Sequence, residues 1–435
     1  MTFADGLYGE LLERGIRYFL PATEWSAREQ APSADPGLLT ISESPDRLLL
    51  EWLGQRHQVR NCSGAFTESQ VRMVRRIGSV LLARYQLLTD GQRAVENFHL
   101  FRGSPEDRYV SGYLNPGPYR NHEALARQGD RVADAIEVLR MSASTTYENR
   151  RIETGVLLFG PHKDPCHLPP PLPDGALRYG SDLTAVRSFH RLCDGLQTVA
   201  LVDGEGRLVE IVDVAEWAKP YANYELPVPS ATRFEAHTRS TLCGGHVCLV
   251  LTPNGEVKIF AEGSEVFRYL DGRWRLTDSA ERYAVFEQAV GTALAERLFR
   301  TALNLAEDRR GGLIVVLRDD ADPAQLIRPG DLLSEGQDAG SKAQFHYLLR
   351  GTRALDLPPA VLESVARIDG AIVLDRDSRV LTFGAILLAS RDDAQAVEGG
   401  RTTAALASSH YGDVLKVSED GVVAYYQGGR CCWEI

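Results

Sequence analysis

The chain lacks any apolar run long enough to cross a membrane as a helix. Its longest, such as Val247–Leu251 and Leu313–Leu317, fall far short of the ~20 residues that a span needs. The start, MTFADGLYGELLERG, has acids early and no apolar h-region, so it does not read as a signal peptide. A basic excess is also missing. The 48 Lys and Arg against 59 Asp and Glu give a formal charge of -11. That excludes a broadly cationic nucleic-acid coat, because phosphate backbones demand a basic face. It leaves room for a small cationic pocket. The seven cysteines are odd in number and share no repeated spacing, which fits a reduced, cytoplasmic protein better than a disulfide framework. Cys431 and Cys432 are neighbours, where a disulfide would be strained, so both read as free thiols. No Gly-Lys-Ser/Thr loop, nucleophile elbow or His-Glu-x-x-His helix occurs.

What is present is a globular composition, 44% hydrophobic, on a chain long enough to bury a core without metal or disulfide staples. At ~150 residues per domain its 435 residues suggest two or three domains. The first part mixes helix and strand signals. Thr67–Tyr85 is predicted to be a helix, capped by Thr67, with Val71, Val74, Ile77, Val80 and Leu81 at helical spacing. Leu114–Tyr119 (LNPGPY) reads as a boundary.

Beyond Asn121 two stretches look alike. The first has a helical run, Glu123–Arg140, then an apolar strand at Gly155–Phe159. A Pro-rich connection follows, then a strand pair in Cys193–Val214 and a hairpin in His246–Ala261 turning at Asn254-Gly255. The second has a helix from about Ala280 to Ala306, with Asp278 and Glu281 as a capping box, and Phe286, Val290, Leu294, Leu298 and Leu305 near one face. It continues with the strand Gly312–Leu317, a strand pair in Ile368–Leu388 and a hairpin in Val414–Gln427 turning at Asp420-Gly421. The offsets vary: 157 from Gly155 to Gly312, 175 from Asp194 to Asp369, and 166 from Gly255 to Gly421. A duplication then needs loop insertions; chance similarity between α/β segments is the alternative. The fold class expected is α/β, a mixed central sheet flanked by helices, with duplication within the chain as one reading.

Four pieces of the second stretch, over roughly Ala280–Gly429, occur in the order of a known family. They are the helix followed by GGLIVVLRDD, IDGAIVLDRDSRVLTFGAILLAS, GGRTTAALASSHYGDV and LKVSEDGVVAYYQGG. Together they resemble the diadenylate cyclase domain, found at the N-terminus of the DNA-integrity-scanning protein. The resemblance implies that Asp369 helps hold Mg2+ or Mn2+ and activates a ribose hydroxyl, and a carboxylate suits such hard cations. Gly370 and Ala371 complete the family's Asp-Gly-Ala motif. Gly399-Gly400 offers backbone N–H groups to phosphate, Arg401 can fork onto phosphate oxygens, and Thr402 and Thr403 can donate hydroxyl hydrogen bonds. Glu419 can join the polar network or be an ordinary turn residue.

The departure is in the loop that active cyclases fill with Arg-His-Arg. Here it is Arg401-Thr402-Thr403. Losing cations where pyrophosphate leaves costs orders of magnitude in rate. The expectation is therefore a sensor-type relative that binds a nucleotide or cyclic dinucleotide and signals to an effector protein. The alternative is an active enzyme that condenses two ATP to cyclic di-AMP with Mg2+ or Mn2+. The first stretch is a candidate degenerate copy, with Asp194 and Gly195 for the Asp-Gly pair and His237 and Arg239 near the Arg-Thr-Thr position. Since family domains work face to face, two copies in one chain would make a pseudo-dimer; a homodimer is the other route. The expected domains are residues 1–119, 120–275 and 276–435. Blander readings stand beside these: Asp369-Gly370 as turn chemistry, Gly399–Thr403 as a solvated loop, and His162, Asp164, Cys166 and His167 as an ordered Pro-rich loop, since their spacing fits no zinc module.

Overall fold

A computed structural model describes residues 3–30, 39–89, 101–120, 130–169, 171–333, 343–388 and 399–435. The chain divides into two compact units. Unit 1 is Met1–Leu226 with Ala236–Asp278, and unit 2 is Pro227–Glu235 with Ser279–Ile435. Among the described residues no helix is long and apolar enough to cross a membrane.

Unit 1 opens with α1 (Phe3–Phe19) and an antiparallel sheet of β1 (Thr23–Gln30), β2 (Leu39–Ser44), β3 (Arg47–Trp52) and β4 (Gln55–Asn61), in the order β1-β4-β3-β2. The helices α2 (Glu68–Thr89), α3 (Pro105–Leu114) and α4 (Arg131–Ala143) follow. Thr67 caps α2 as its sequence predicts: its hydroxyl accepts the N–H of Gln70 at 3.1 Å. The helix runs past the predicted end at Tyr85 to Thr89. Asp130 caps α4 by accepting the N–H of Ala133; residues 123–129 of the predicted helical run lie outside the described residues.

After a short pair, β5 (Thr146–Tyr147) with β6 (Arg150–Arg151), comes a seven-stranded sheet. It comprises β7 (Thr154–Leu158), β8 (Thr198–Val202), β9 (Leu208–Asp213), β10 (Val247–Leu251), β11 (Val257–Ala261), β12 (Ser264–Leu270) and β13 (Arg273–Leu276), in the order β13-β12-β11-β10-β7-β8-β9. One apolar core joins Ile16, Ile77, Val110 and Ile136 of the helices to Val156, Leu158, Leu249 and Phe267 of this sheet. The stretch Leu114–Tyr119, read as a boundary, therefore lies inside unit 1. Its Asn, Pro and Gly turn the chain from α3 into the helical turn Gly117–Arg120, and both flanks feed the same core. The short helix α5 (Glu235–Arg239) precedes β10.

Unit 2 carries the helix Ser279–Val290 and α6 (Thr292–Glu307). The sequence predicts one helix here. Gly291, at φ 88°, splits it, because that left-handed conformation cannot continue a helix. The apolar face is as expected, with Phe286, Val290, Leu294, Leu298 and Leu305 all buried. A six-stranded sheet follows: β14 (Gly312–Leu317), β15 (Ala371–Leu374), β16 (Val380–Ala385), β17 (Gly412–Val417), β18 (Val423–Gln427) and β19 (Arg430–Glu434), in the order β16-β15-β14-β17-β18-β19. The helix α7 (Pro359–Ala366) leads into β15, and α8 (Gly400–Ser408) into β17. Ile314, Val316, Ile372 and Leu415 face one core with Leu298, Leu305 and Leu362. Leu313, Val315, Val373 and Val414 face another with Leu326 and Ala405. Burial on both faces is why these strands read as continuous apolar runs rather than alternating ones. The fold class is α/β, as the sequence indicates.

The two sheets share one plan. In each, a parallel central pair (β7 with β8, β14 with β15) is flanked by antiparallel strands in the same succession. Matching the registers sets Ile314 at the place of Val156, an offset of 158, and Ile372 at that of Ala200, an offset of 172. Asp413 stands where Val247 does, and Val423 where Val257 does, both offsets of 166. The hairpin glycines Gly255 and Gly421 thus match in register. Gly312 corresponds to Thr154 rather than to Gly155. A side-chain contact repeats as well. Arg151 Nη1 donates to the carbonyl of Asn254 at 3.1 Å, and Arg309 Nη1 donates to that of Asp420, at the same offsets of 158 and 166.

Candidate functional site

The start of β14, the start of β15, the end of β17 and the first turn of α8 meet at one end of the unit 2 sheet. They enclose an open cleft of about 740 Å³ lined by Arg309, Arg310, Gly311, Ser364, Arg367, Ile368, Arg401 and Glu419.

Arg401 is its centre. Its Nη1 donates to Glu419 Oε1 at 3.0 Å, and its Nη2 lies 3.9 Å from Asp369 Oδ1. Three sequence-predicted residues are thus brought together. The guanidinium rests against the backbone of Gly311: a Cβ there would sit 2.1 Å from Nη1. Glycine at 311 is what lets the arginine cross the strand's start. Asp369 projects fully into solvent and Glu419 is largely exposed, on the tight turn between β17 and β18.

Other predicted residues have different tasks. Gly370 adopts φ 106°, and a Cβ on it would lie 2.5 Å from the backbone carbon of Gly384. It is glycine because the neighbouring strand passes close. Ala371 pairs with Ala385 and is buried in the core, away from the cleft. Gly399–Thr403 is largely helix rather than loop, since α8 begins at Gly400. Its first turn already spends the N–H groups of Thr402 and Thr403 on the carbonyl of Gly399. The amides spent there are not those of Gly399-Gly400, the pair expected to cradle phosphate. Thr403 Oγ1 also turns back to Gly399 O, at 3.4 Å. Thr402 Oγ1 accepts from the buried Lys416 Nζ at 3.1 Å, which leaves its own proton to donate.

Sequence reasoning missed Arg310, Arg367 and Lys416. The apparent scarcity of cations around Arg401 is corrected by the fold. Arg310 stands just before β14 and Arg367 just after α7, both exposed, and neither side chain has a polar partner among the described residues. No local spacing links residues 310, 367 and 401. The one signal was the Arg309-Arg310-Gly311-Gly312 run.

Unit 1 handles the equivalent positions differently. Asp194 Oδ1 accepts the N–H groups of Leu196, Gln197 and Thr198 at 2.8–2.9 Å. Burial opposes its ionisation, but these bonds hold its carboxyl below the usual range. Asp194 precedes Ala200 by six residues whereas Asp369 precedes Ile372 by three. The longer turn is the one that Asp194 closes upon. His237 is buried and its Nε2 donates to Gly195 O at 2.8 Å. Arg239 Nη1 donates to the carbonyls of Tyr221 and Tyr224, at 3.3 and 2.9 Å. Asp194, Gly195 and His237 do assemble, as a braced turn.

The histidine-rich loop of unit 1 is also a brace. Asp164 Oδ2 accepts from the Tyr221 hydroxyl and from His246 Nε2, and His246 Nδ1 accepts the N–H of Gly160 at 2.7 Å. That acceptor role requires a neutral ring, and burial pushes the His246 pKa down. His167 stacks on Trp217 at 3.8 Å between ring centroids. Among the described residues no group of three or more His, Cys, Asp or Glu is placed to hold a metal.

No family model matches this chain, and no curated protein does. Solved structures offer partial likenesses. One is a hypothetical membrane spanning protein from Bacillus cereus, 21% identical over 33% of this chain and 64% of that chain, with a TM-score of 0.25. The match thus spans less than two thirds of that protein's length. Another is a double-cysteine variant of DacA from Staphylococcus aureus, 18% identical over 31% of this chain and 82% of that one, with a TM-score of 0.21. Similarity this slight leaves the functional reading to rest on the geometry of the cleft.

Proposed function

We propose that unit 2 is a sensor-type domain related to diadenylate cyclases, binding a nucleotide or cyclic dinucleotide in the arginine-lined cleft. The observation that carries the reading is the convergence of Arg310, Arg367 and Arg401 from three separate segments onto one open cleft. Arg310 and Arg367 have no carboxylate partner among the described residues, and the planar forks of all three suit phosphate. Arg310 and Arg367 take the outer phosphate oxygens, Arg401 the inner ones, and the Thr402 hydroxyl adds a neutral donor. Ile368, 42% exposed beside the cleft, offers apolar surface to a base. The Arg-Thr-Thr sequence in place of Arg-His-Arg fits binding without efficient turnover, so the signal passes to a partner protein.

The second reading, a working cyclase, draws on the full exposure of Asp369. Mg2+ or Mn2+ is commonly held by one or two carboxylates plus substrate phosphates, and Asp369, with Glu419 nearby, meets that requirement. The cation would supply charge neutralisation at the phosphates. This chain's own part would be to hold the triphosphate on its arginines and keep Asp369 beside them.

Isothermal calorimetry against ATP, ADP, AMP, GTP, cyclic di-AMP and cyclic di-GMP tests the proposal. At least one member is expected to bind, and Arg401→Ala or Arg367→Ala to weaken it by about tenfold or more. Binding by none, or binding indifferent to both substitutions, overturns it. Labelled ATP with Mn2+ separates the second reading: a cyclic dinucleotide product that vanishes in Asp369→Asn would make the protein an enzyme.

A further inference from the structure

The guanidinium of Arg401 is already matched to carboxylates. Its Nη1 hydrogen-bonds Glu419 at 3.0 Å, and Asp369 stands 3.9 Å from its Nη2. Both ends of the first contact are held by the fold. Gly311 lets the guanidinium lie flat across the start of β14. The hairpin turn holds Glu419, with Ser418 N–H donating to Val422 O at 2.9 Å and Gly421 N–H to Ser418 O at 3.0 Å. The adjacent carboxylate, Asp420, faces its own turn instead: its Oδ1 accepts from Val422 N–H, and its carbonyl takes Arg309. One turn therefore offers two acids, of which one sits on the cleft's central cation.

We infer that Glu419 is a resident anion on Arg401, a carboxylate standing where a ligand phosphate must go and displaced when the phosphate binds. The inference rests on the proposal that the cleft takes a phosphate ligand. A carboxylate and a phosphate oxygen seek the same guanidinium donors, so occupation by one excludes the other. An exposed ion pair of this kind is weak, so the latch lowers affinity without closing the cleft. A carboxylate-for-phosphate exchange at Arg401 gains less than pairing an unoccupied arginine would. Net binding then depends on the further phosphates that reach Arg310 and Arg367, which favours ligands with two or more phosphate groups.

The test is calorimetry with ATP in EDTA on the full chain, comparing wild type, Glu419→Gln and Asp420→Asn. Both substitutions remove one charge from the same exposed turn, and only one touches Arg401. Glu419→Gln is expected to tighten ATP by about three- to fivefold, and Asp420→Asn by less than about twofold. In an Arg401→Ala background the gain from Glu419→Gln should disappear, which a merely structural role for Glu419 would not produce. Wild-type binding that Glu419→Gln leaves equal or weakens overturns the latch and leaves the cleft reading intact. Equal gains from both substitutions overturn it in favour of general charge repulsion. No ATP binding by any of the three proteins overturns the latch, and the nucleotide panel then decides the cleft reading.

Discussion

Arg151 in unit 1 and Arg309 in unit 2 perform the same task, each donating to the carbonyl of a hairpin-turn residue at matching strand registers. Beside this clamp the two sequences differ. At the position where unit 2 has Gly311, register assigns Glu153 to unit 1, and an arginine cannot lie across that strand's start. Asp369 reaches solvent beside Arg401, whereas Asp194 folds back onto three amides of its own turn. The difference teaches which residues belong to the scaffold and which to a ligand. Features that both units keep, such as the arginine clamp and the glycine after the turn aspartate, serve the fold. Features described in unit 2 alone, namely Gly311 with Arg401 lying across it, and Arg310 and Arg367 without a polar partner among the described residues, are those a ligand would need.

This division yields predictions. The largest effect is expected where both units need glycine. Gly370→Ala and Gly195→Ala each force a Cβ onto backbone, at 2.5 Å from Gly384 and 2.3 Å from Thr154, at positive φ. Each should cost about 2–4 kcal/mol by urea unfolding; a tolerated alanine at either would break the parallel between the turns. Next, Gly311→Glu gives unit 2 the unit 1 residue and should evict Arg401. Nucleotide affinity is expected to fall about a hundredfold, some 2.7 kcal/mol, while Glu153→Gly leaves it unchanged.

A smaller effect separates the units by pH. His246 is held neutral by burial and by the Gly160 N–H, and its place in unit 2 is taken by Gly412. Its folded pKa lies below the unfolded value of about 6.5. Below that pH the unfolded chain binds the proton and the native one does not, so stability falls as pH falls. The slope is at most about 1.4 kcal/mol per pH unit for this one proton. Asp164, whose pKa is held low by its hydrogen bonds against the effect of burial, adds loss in the same direction at still lower pH. Urea unfolding at pH 7 and 5.5 checks the first step, and His246→Gln should flatten it. The smallest effect is that of the shared clamp. Arg151→Ala and Arg309→Ala should each cost about 0.5–1 kcal/mol of stability, and Arg309→Ala should alter nucleotide affinity by less than about twofold although it lines the cleft. A large affinity loss would move Arg309 from the scaffold to the ligand.

The sheets were largely legible in the sequence. Runs such as Leu313–Leu317 are apolar throughout because both faces are buried, and the Asn254-Gly255 and Asp420-Gly421 turns announce hairpins that register confirms. The break at Gly291 was not legible, since the apolar stripe continues across it. Neither was the packing of α1–α4 onto the unit 1 sheet, because a long-range contact leaves no local pattern. At the cleft, Asp369, Arg401 and Glu419 could be named because motif order carries them. Arg310 and Arg367 could not, because only the pairing of β14 beside β15 brings residues 57 positions apart to one edge.

The central claim, that one unit carries the proposed phosphate-binding cleft and the other a braced turn in its place, is tested most directly by hydrogen–deuterium exchange with and without ATP. Protection should appear over residues 309–312, 366–371 and 399–403 of unit 2, with none over 151–154 or 194–198 of unit 1. Equal protection in both units, or protection confined to unit 1, would contradict it.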